Sequence, residues 1–320
     1  MRTVEYDSFG PWVLPVTSPG EVPPLYRDHP IDLERALLVL KFPRDVARRD
    51  ANPTMDLYDH LVIVDDDALT ILNRRPEGFG AQVIPHDTIC AIGYGTELLD
   101  GWFTVHSAGP DPADASTTVT LRYVGTSLET IEVLVATLRS LYRTGSALLS
   151  ESRADGARRR SALVPAIAQR DLGDKDIALV NRELALLRAE PGLRMLGFHR
   201  RLDLAARDGG RLRQIVRLVR PVVLHAAVVS GDGHEMVILH RRRWVTRGRH
   251  PEHSLAVTVL PLERIDEVTE RDDPLNANVR VFAVRCRATV LELLLPAGST
   301  SEQAVVDQLG DRLTQRPAAA

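Results

Sequence analysis

The sequence predicts an α+β fold: two tandem β-rich units, each a bent, partly open barrel or sandwich closed by a C-terminal amphipathic helix. Three observations carry this expectation. Short apolar runs bounded by Asp, Gly, Pro and Asn clusters succeed one another along the chain, as the strands of a small sandwich or barrel do. Each half then ends in a capping-box sequence followed by apolar residues at helical spacing. Finally, local patterns of the first half return in the same order after Pro191, which is how a duplicated unit with loop insertions behaves.

Residues 1–32 form the first segment and hold Pro11, Pro15, Pro19, Pro23, Pro24 and Pro30. Proline at that density lacks ladder donors and blocks helix, so the segment reads as an extended arm, either mobile or laid over a domain. The first unit is expected over 33–145. Its strands follow from the run Ala36–Phe42 and then Leu61–Val64, Leu69–Leu72, Gln82–Ile84, Thr88–Ile92, Trp102–His106 and Thr117–Tyr123. Thr126-Ser-Leu-Glu129 is a capping box. After it, Ile131, Leu134, Val135, Leu138, Leu141 and Tyr142 share one helical face, with Gly145 as the expected stop. A linker over 146–189 follows, with a helix near 174–189 ended by Pro191-Gly192. The second unit takes 190–316, and 317–320 is a tail.

The repeat shows in paired segments. Leu40-Lys-Phe42-Pro-Arg44 matches Leu196-Gly-Phe198-His-Arg200, and Ile71-Leu-Asn-Arg74 matches Ile238-Leu-His-Arg241. Val83-Ile-Pro85, with Ile89 four residues on, matches Val259-Leu-Pro261 with Ile265. The second capping box, Ser299-Thr-Ser-Glu302, precedes the apolar face Val305, Val306, Leu309 and Leu313. The two proline segments and the capped final helices resemble the pleckstrin-homology-like (PH-like) fold, in particular the bacterial PH-like domains. That resemblance implies a helix plugging one open end of a bent barrel, and roles ranging from lipid binding to protein scaffolding. Many bacterial members of that family carry transmembrane helices, which this sequence does not show.

Composition bounds the function. The 320 residues suit two domains with their own cores, and 44% apolar with 26% charged residues is globular. A net charge of −3 gives no reason to expect nucleic acid. Only Lys41 and Lys175 are lysines among 40 basic residues, a bias toward arginine throughout. The N-terminus has no signal-peptide h-region, and the longest apolar runs, such as Val222–Val229, fall far short of the roughly 20 residues of a membrane span. A cytoplasmic protein with no transmembrane segment is therefore expected. Cys90 and Cys286 are too few for a disulfide framework and read as buried, inert thiols.

The reactive residue types form no catalytic pattern. Asp65-Asp66-Asp67 lies where a hairpin turn is needed, and Ser230-Gly-Asp-Gly233 is its counterpart. His86-Asp87 would point to opposite faces of a strand. His234 and His240 would share one face, and His250 and His253 flank Pro251 in a loop, but none falls at a recognised metal spacing. No enzyme, cofactor or metal is therefore expected. The basic residues Arg241, Arg242, Arg243, Arg247 and Arg249, interleaved with Trp244, are the candidate ligand or membrane surface. An acidic-to-basic seam between the units, or a solvated face, would use the same residues equally well. The expected function is a scaffold or adaptor that binds a protein partner, or itself, through sheet edges and helix flanks. Binding of anionic lipid or phosphate through the arginines is the alternative, and an enzyme with its site between the repeats is a weaker one.

Overall fold

A computed structural model describes residues 4–109, 116–147, 167–207, 220–248 and 252–315. It is mixed α+β with strand predominating, and no sheet among the described residues closes into a barrel. The chain divides into two compact units. One is Met1–Ile89 with Thr96–Ser107 and Thr118–Leu148, and the other is Cys90–Gly95 with Ala108–Thr117 and Leu149–Ala320. Among the described residues no helix is long and apolar enough to cross a membrane.

In the first unit a short helix α1 (Val4–Ser8) precedes β1 (Leu14–Pro15), β2 (Leu38–Pro43), β3 (Tyr58–Val64), β4 (Ala68–Arg74) and β5 (Phe79–Pro85). These strands make one antiparallel sheet in chain order. The proline-rich arm is laid over it. Phe9, Val16, Val22 and Tyr26 are buried in one cluster with Val39, Leu61, Ile63 and Leu72, and the Tyr26 hydroxyl donates to the Asp59 carbonyl at 2.8 Å. The arm can do this without regular ladders because its prolines fix it in extended and 3-10 conformations, while its apolar residues cover one face of the sheet. A 3-10 turn, His86–Thr88, leads to β6 (Ile89–Glu97), and β7 (Asp100–Ser107) and β8 (Thr117–Val124) follow as sheet neighbours. The chain enters α2 (Leu128–Ala147) through a second 3-10 turn, Gly125–Ser127. Thr126 thus lies inside a turn rather than at a helix cap, and Ser127 accepts a hydrogen bond from the Val13 amide at 3.0 Å. Ile131, Leu134, Val135, Leu138 and Tyr142 are buried, as their spacing requires, and the helix runs past Gly145 to Ala147.

The second unit begins with α3 (Gln169–Leu172) and α4 (Ile177–Ala189), the linker helix expected from sequence. Its strands are β9 (Arg194–His199), β10 (Leu202–Leu204), β11 (Val222–Leu224), β12 (Ala227–Gly231), β13 (Glu235–His240), β14 (Val245–Arg247) and β15 (Ser254–Pro261). After a 3-10 turn, Leu262–Arg264, come β16 (Glu267–Asp272), β17 (Val279–Cys286) and β18 (Thr289–Pro296). The chain then forms α5 (Thr300–Leu309) and β19 (Leu313–Gln315). Strands β9, β12, β13 and β15 pair antiparallel in that order. The far edge of β15 is taken by β6, whose stretch Cys90–Gly95 belongs to this unit. β16, β17 and β18 are antiparallel, with β19 parallel to β16. Val229, Ile238, Leu260, Ile265, Phe282, Leu293, Val305 and Leu309 share the core.

One order of elements occurs twice. Four strands, a 3-10 turn, three strands and a helix are β2 to β5, β6 to β8 and α2 in the first half. In the second half they are β9, β12, β13, β15, then β16 to β18 and α5, with β10, β11 and β14 added as a small separate sheet. The match extends to single hydrogen bonds. Asp65 Oδ1 accepts from the amides of Asp67 (2.9 Å) and Ala68 (2.8 Å). Asp232 Oδ1 accepts from those of His234 (2.9 Å) and Glu235 (3.0 Å). The next 3-10 turn then docks on each hairpin, His86 N–H to the Asp67 carbonyl at 3.1 Å and Leu262 N–H to that of His234 at 2.8 Å. The acidic triplet is accordingly turn chemistry, with the Asp65 carboxylate engaged by its own backbone.

The cysteines depart from expectation. Cys90 in β6 and Cys286 in β17 form a disulfide, with their Cα atoms 5.8 Å apart. They are not separate thiols. Nothing in either local sequence announces the other partner, because the pairing arises from tertiary proximity of residues far apart in the chain.

Candidate functional site

The arginine-rich segment does not form one surface. Arg241 is 3% exposed, and its Nη2 lies 2.7 Å from Asp176 Oδ1, itself buried on the approach to α4. Arg241 also donates to the carbonyls of Ser254 (2.6 Å) and Lys175 (2.9 Å). A guanidinium so engaged is not available to a phosphate, so Arg241 is corrected from a ligand residue to a structural one. Arg242 is half-buried, and its amide donates to the Ser254 hydroxyl at 2.8 Å. Trp244 is half-buried and stacks on His240 with ring centroids 4.6 Å apart. Arg243 and Arg247 are exposed, the latter in β14 paired with Val222 of β11. Arg249 and His250 lie outside the described residues.

The buried histidines of the second unit are neutral supports. His240 donates from Nδ1 to the Arg241 carbonyl (2.7 Å) and accepts at Nε2 from Thr258 (2.9 Å), and burial drives its pKa down to about 4. It is therefore not paired with His234 for a metal. His199 places Nδ1 2.8 Å from the Ser301 hydroxyl and Nε2 2.8 Å from the His225 carbonyl. The carbonyl can only accept, so Nε2 carries the proton and Nδ1 accepts from Ser301. Burial likewise lowers His199 to about 4. This has the outline of a serine–base pair, but Ser301 is 0% and His199 4% exposed. No substrate reaches it, and it fastens the first turn of α5 to β9. In the first unit, His86 sits buried in a 3-10 turn rather than a strand and bonds the Asp65 carbonyl at 2.8 Å, while Asp87 faces solvent.

A cleft of about 430 Å³ opens in the first unit between Arg44, Asp45, Asp59, His60, Asp100 and Arg122. Asp59 is bonded to Arg74 at 2.7 Å. His60 Nδ1 lies 2.8 Å from Asn73 Oδ1, with its pKa lowered by burial. Its lining carries charges of both signs, and two of its polar groups, Asp59 and His60, are committed to Arg74 and Asn73. The cleft selects no ligand class.

The feature that singles itself out is strand β5. It follows a turn in which Gly78 adopts φ +82° and the Arg75 amide bonds its carbonyl at 2.9 Å, a conformation glycine permits without strain. From there Phe79-Gly-Ala-Gln-Val-Ile-Pro85 pairs along its whole length with β4. Phe79 is held by the arm, with its ring 5.5 Å from that of Tyr26. Ile84 points into the core, while Ala81 and Val83 face solvent, Val83 at 60%. β5 ends its sheet, so among the described residues one edge of this strand has no neighbouring strand. The strand itself carries no charge from Phe79 to Pro85, the nearest being the Arg75 guanidinium beside Gly80, and edges with few charges are sites of strand addition.

Among the described residues, several other sheet edges are managed. At β9, the Thr300 hydroxyl accepts from the Phe198 amide at 3.0 Å and donates to the Phe198 carbonyl at 2.7 Å, which caps that edge with the start of α5. β8 presents Thr118, Thr120 and Arg122, and β18 carries Glu292 in an ion pair with Arg271. β15 holds the place in the second half that β5 holds in the first, and its edge is occupied by β6. The exposure of β5 was not singled out from sequence, although its lack of charge was legible there. The sequence matches no protein-family model, and no curated protein is a detectable relative.

Proposed function

We propose that this chain is a non-catalytic binding protein built from two PH-like repeats. In this reading it takes up another polypeptide as an added strand along β5. The duplication is supported by the shared element order and the matched Asp65 and Asp232 hairpins. The binding mode rests on a single contrast. In the second half the strand before the 3-10 turn has a strand on its outer edge, and in the first half the strand at the same place has none among the described residues. Main-chain hydrogen bonds would supply affinity there, and the exposed Ala81 and Val83 positions would supply selectivity. A non-catalytic role is favoured because the Ser301–His199 pair is sealed from solvent.

The test uses the strand that this chain itself seats on an edge. A fluorescent synthetic peptide of residues 88–97, with Ser in place of Cys90, is titrated with the full-length protein and followed by anisotropy. Saturable binding that is lost in the Ala81→Lys/Val83→Lys variant is expected. An unchanged anisotropy at all protein concentrations would remove strand addition at β5 as the function.

A further inference from the structure

The β5 edge is complementary to itself, and we infer that its occupant is the β5 strand of a second copy of this chain. The inference rests on the reading of β5 as a strand acceptor and names the partner. An antiparallel pair of identical strands is generated by a twofold axis normal to the sheet, the commonest symmetry of homo-oligomers. Centred on Gln82, that pairing sets Ala81 of one copy opposite Val83 of the other on the exposed face and brings the two Gln82 amides together. Side chains of the same parity meet, so buried Ile84 stays on the core side in both copies.

Self-pairing needs an edge that does not repel itself, and β5 meets that condition. Phe79–Pro85 contains no Asp, Glu, Lys or Arg, so no like charges face each other across the axis. The exposed face offers small and β-branched apolar residues, Ala81 and Val83, which suit cross-strand contact. Pro85 closes the strand and limits the length of the seam. Two five-stranded sheets would then continue as one. A seam of one strand is small, below the roughly 1,200 Å² at which interfaces become stable, so the dimer is expected to be reversible and concentration-dependent.

Sedimentation equilibrium of the full chain over a wide concentration range reads the mass directly. A rise from monomer to dimer is expected for the native sequence. The Ala81→Lys/Val83→Lys variant should remain monomeric, and so should Ala81→Glu/Val83→Glu. An equimolar mixture of the two variants should regain the dimer, because opposite charges then face each other. Leu275→Lys, at a 65% exposed position in a loop of the second unit, should behave as the native chain. All three variants change solvent-facing residues, and far-ultraviolet dichroism verifies that each is folded. A native chain that stays monomeric at every concentration overturns self-pairing, as does a dimer that survives both charge variants. If the chain is monomeric but still binds the strand peptide at β5, self-pairing alone fails and strand addition stands. If neither is seen, both fall.

Discussion

At the scale of single residues, Arg241 shows how position overrides residue type. Three successive arginines are equivalent on paper, yet one is buried against Asp176 and Arg243 is in solvent. Removing one member of a buried pair leaves the other charge without compensation and costs about 3–5 kcal/mol. Arg241→Ala is therefore expected to lower unfolding free energy by about that amount in urea denaturation, while Arg243→Ala should change it by less than about 0.5 kcal/mol. Equal effects from the two substitutions would contradict the assignment. The sequence could not separate them because every residue of β13 is buried. A strand buried on both faces has no polar–apolar alternation to indicate which way the chain points as it enters the turn. His240, on the same strand, was hidden in the same way, and only burial against Thr258 makes it a neutral support; His199 takes that role through burial against Ser301.

At the scale of elements, the junction of β9 and α5 depends on contacts between residues from opposite ends of the second unit. Thr300 closes the β9 edge through Phe198, and the first turn of α5 comes so close that a Cβ at Gly197 would lie inside the Thr300 carbonyl. Gly197→Ala must push helix and strand apart. It is expected to destabilise the protein by about 1–3 kcal/mol, read as a lower melting temperature. An unchanged melting temperature would show that α5 is free to shift. Elements of this kind were largely legible in the sequence. The strand runs of the first half and both terminal helices begin where hydrophobic periodicity put them, because period is a local property. However, α5 ends at Leu309, and Leu313, expected on its apolar face, opens β19 beside β16. The cap of α2 was less so. Thr126 has the right sequence for a cap, but the arm reaches Ser127 through the Val13 amide and the chain turns earlier. The arm also joins the core of the first unit, a choice that proline content left open between mobile and docked.

At the scale of the whole molecule, the disulfide between Cys90 and Cys286 closes a loop 196 residues apart in sequence. A cross-link of that reach restricts the unfolded chain strongly, and its removal typically costs about 2–5 kcal/mol. Cys90→Ser/Cys286→Ser is expected to unfold at lower denaturant by that margin. Thiol titration of the unreduced, unfolded native chain should find no free cysteine, and two free thiols would refute the pairing. By itself the sequence determined the α+β class, the positions of the first-half strands and the starts of the two closing helices. These follow from side-chain period, turn residues and helix caps, which act over a few neighbours. Tertiary structure alone decided which cysteine met which, which arginine was buried and which sheet edge was left open. Each of those outcomes depends on contacts between residues distant in the chain, and burial and pairing across such distances leave no trace in local sequence pattern.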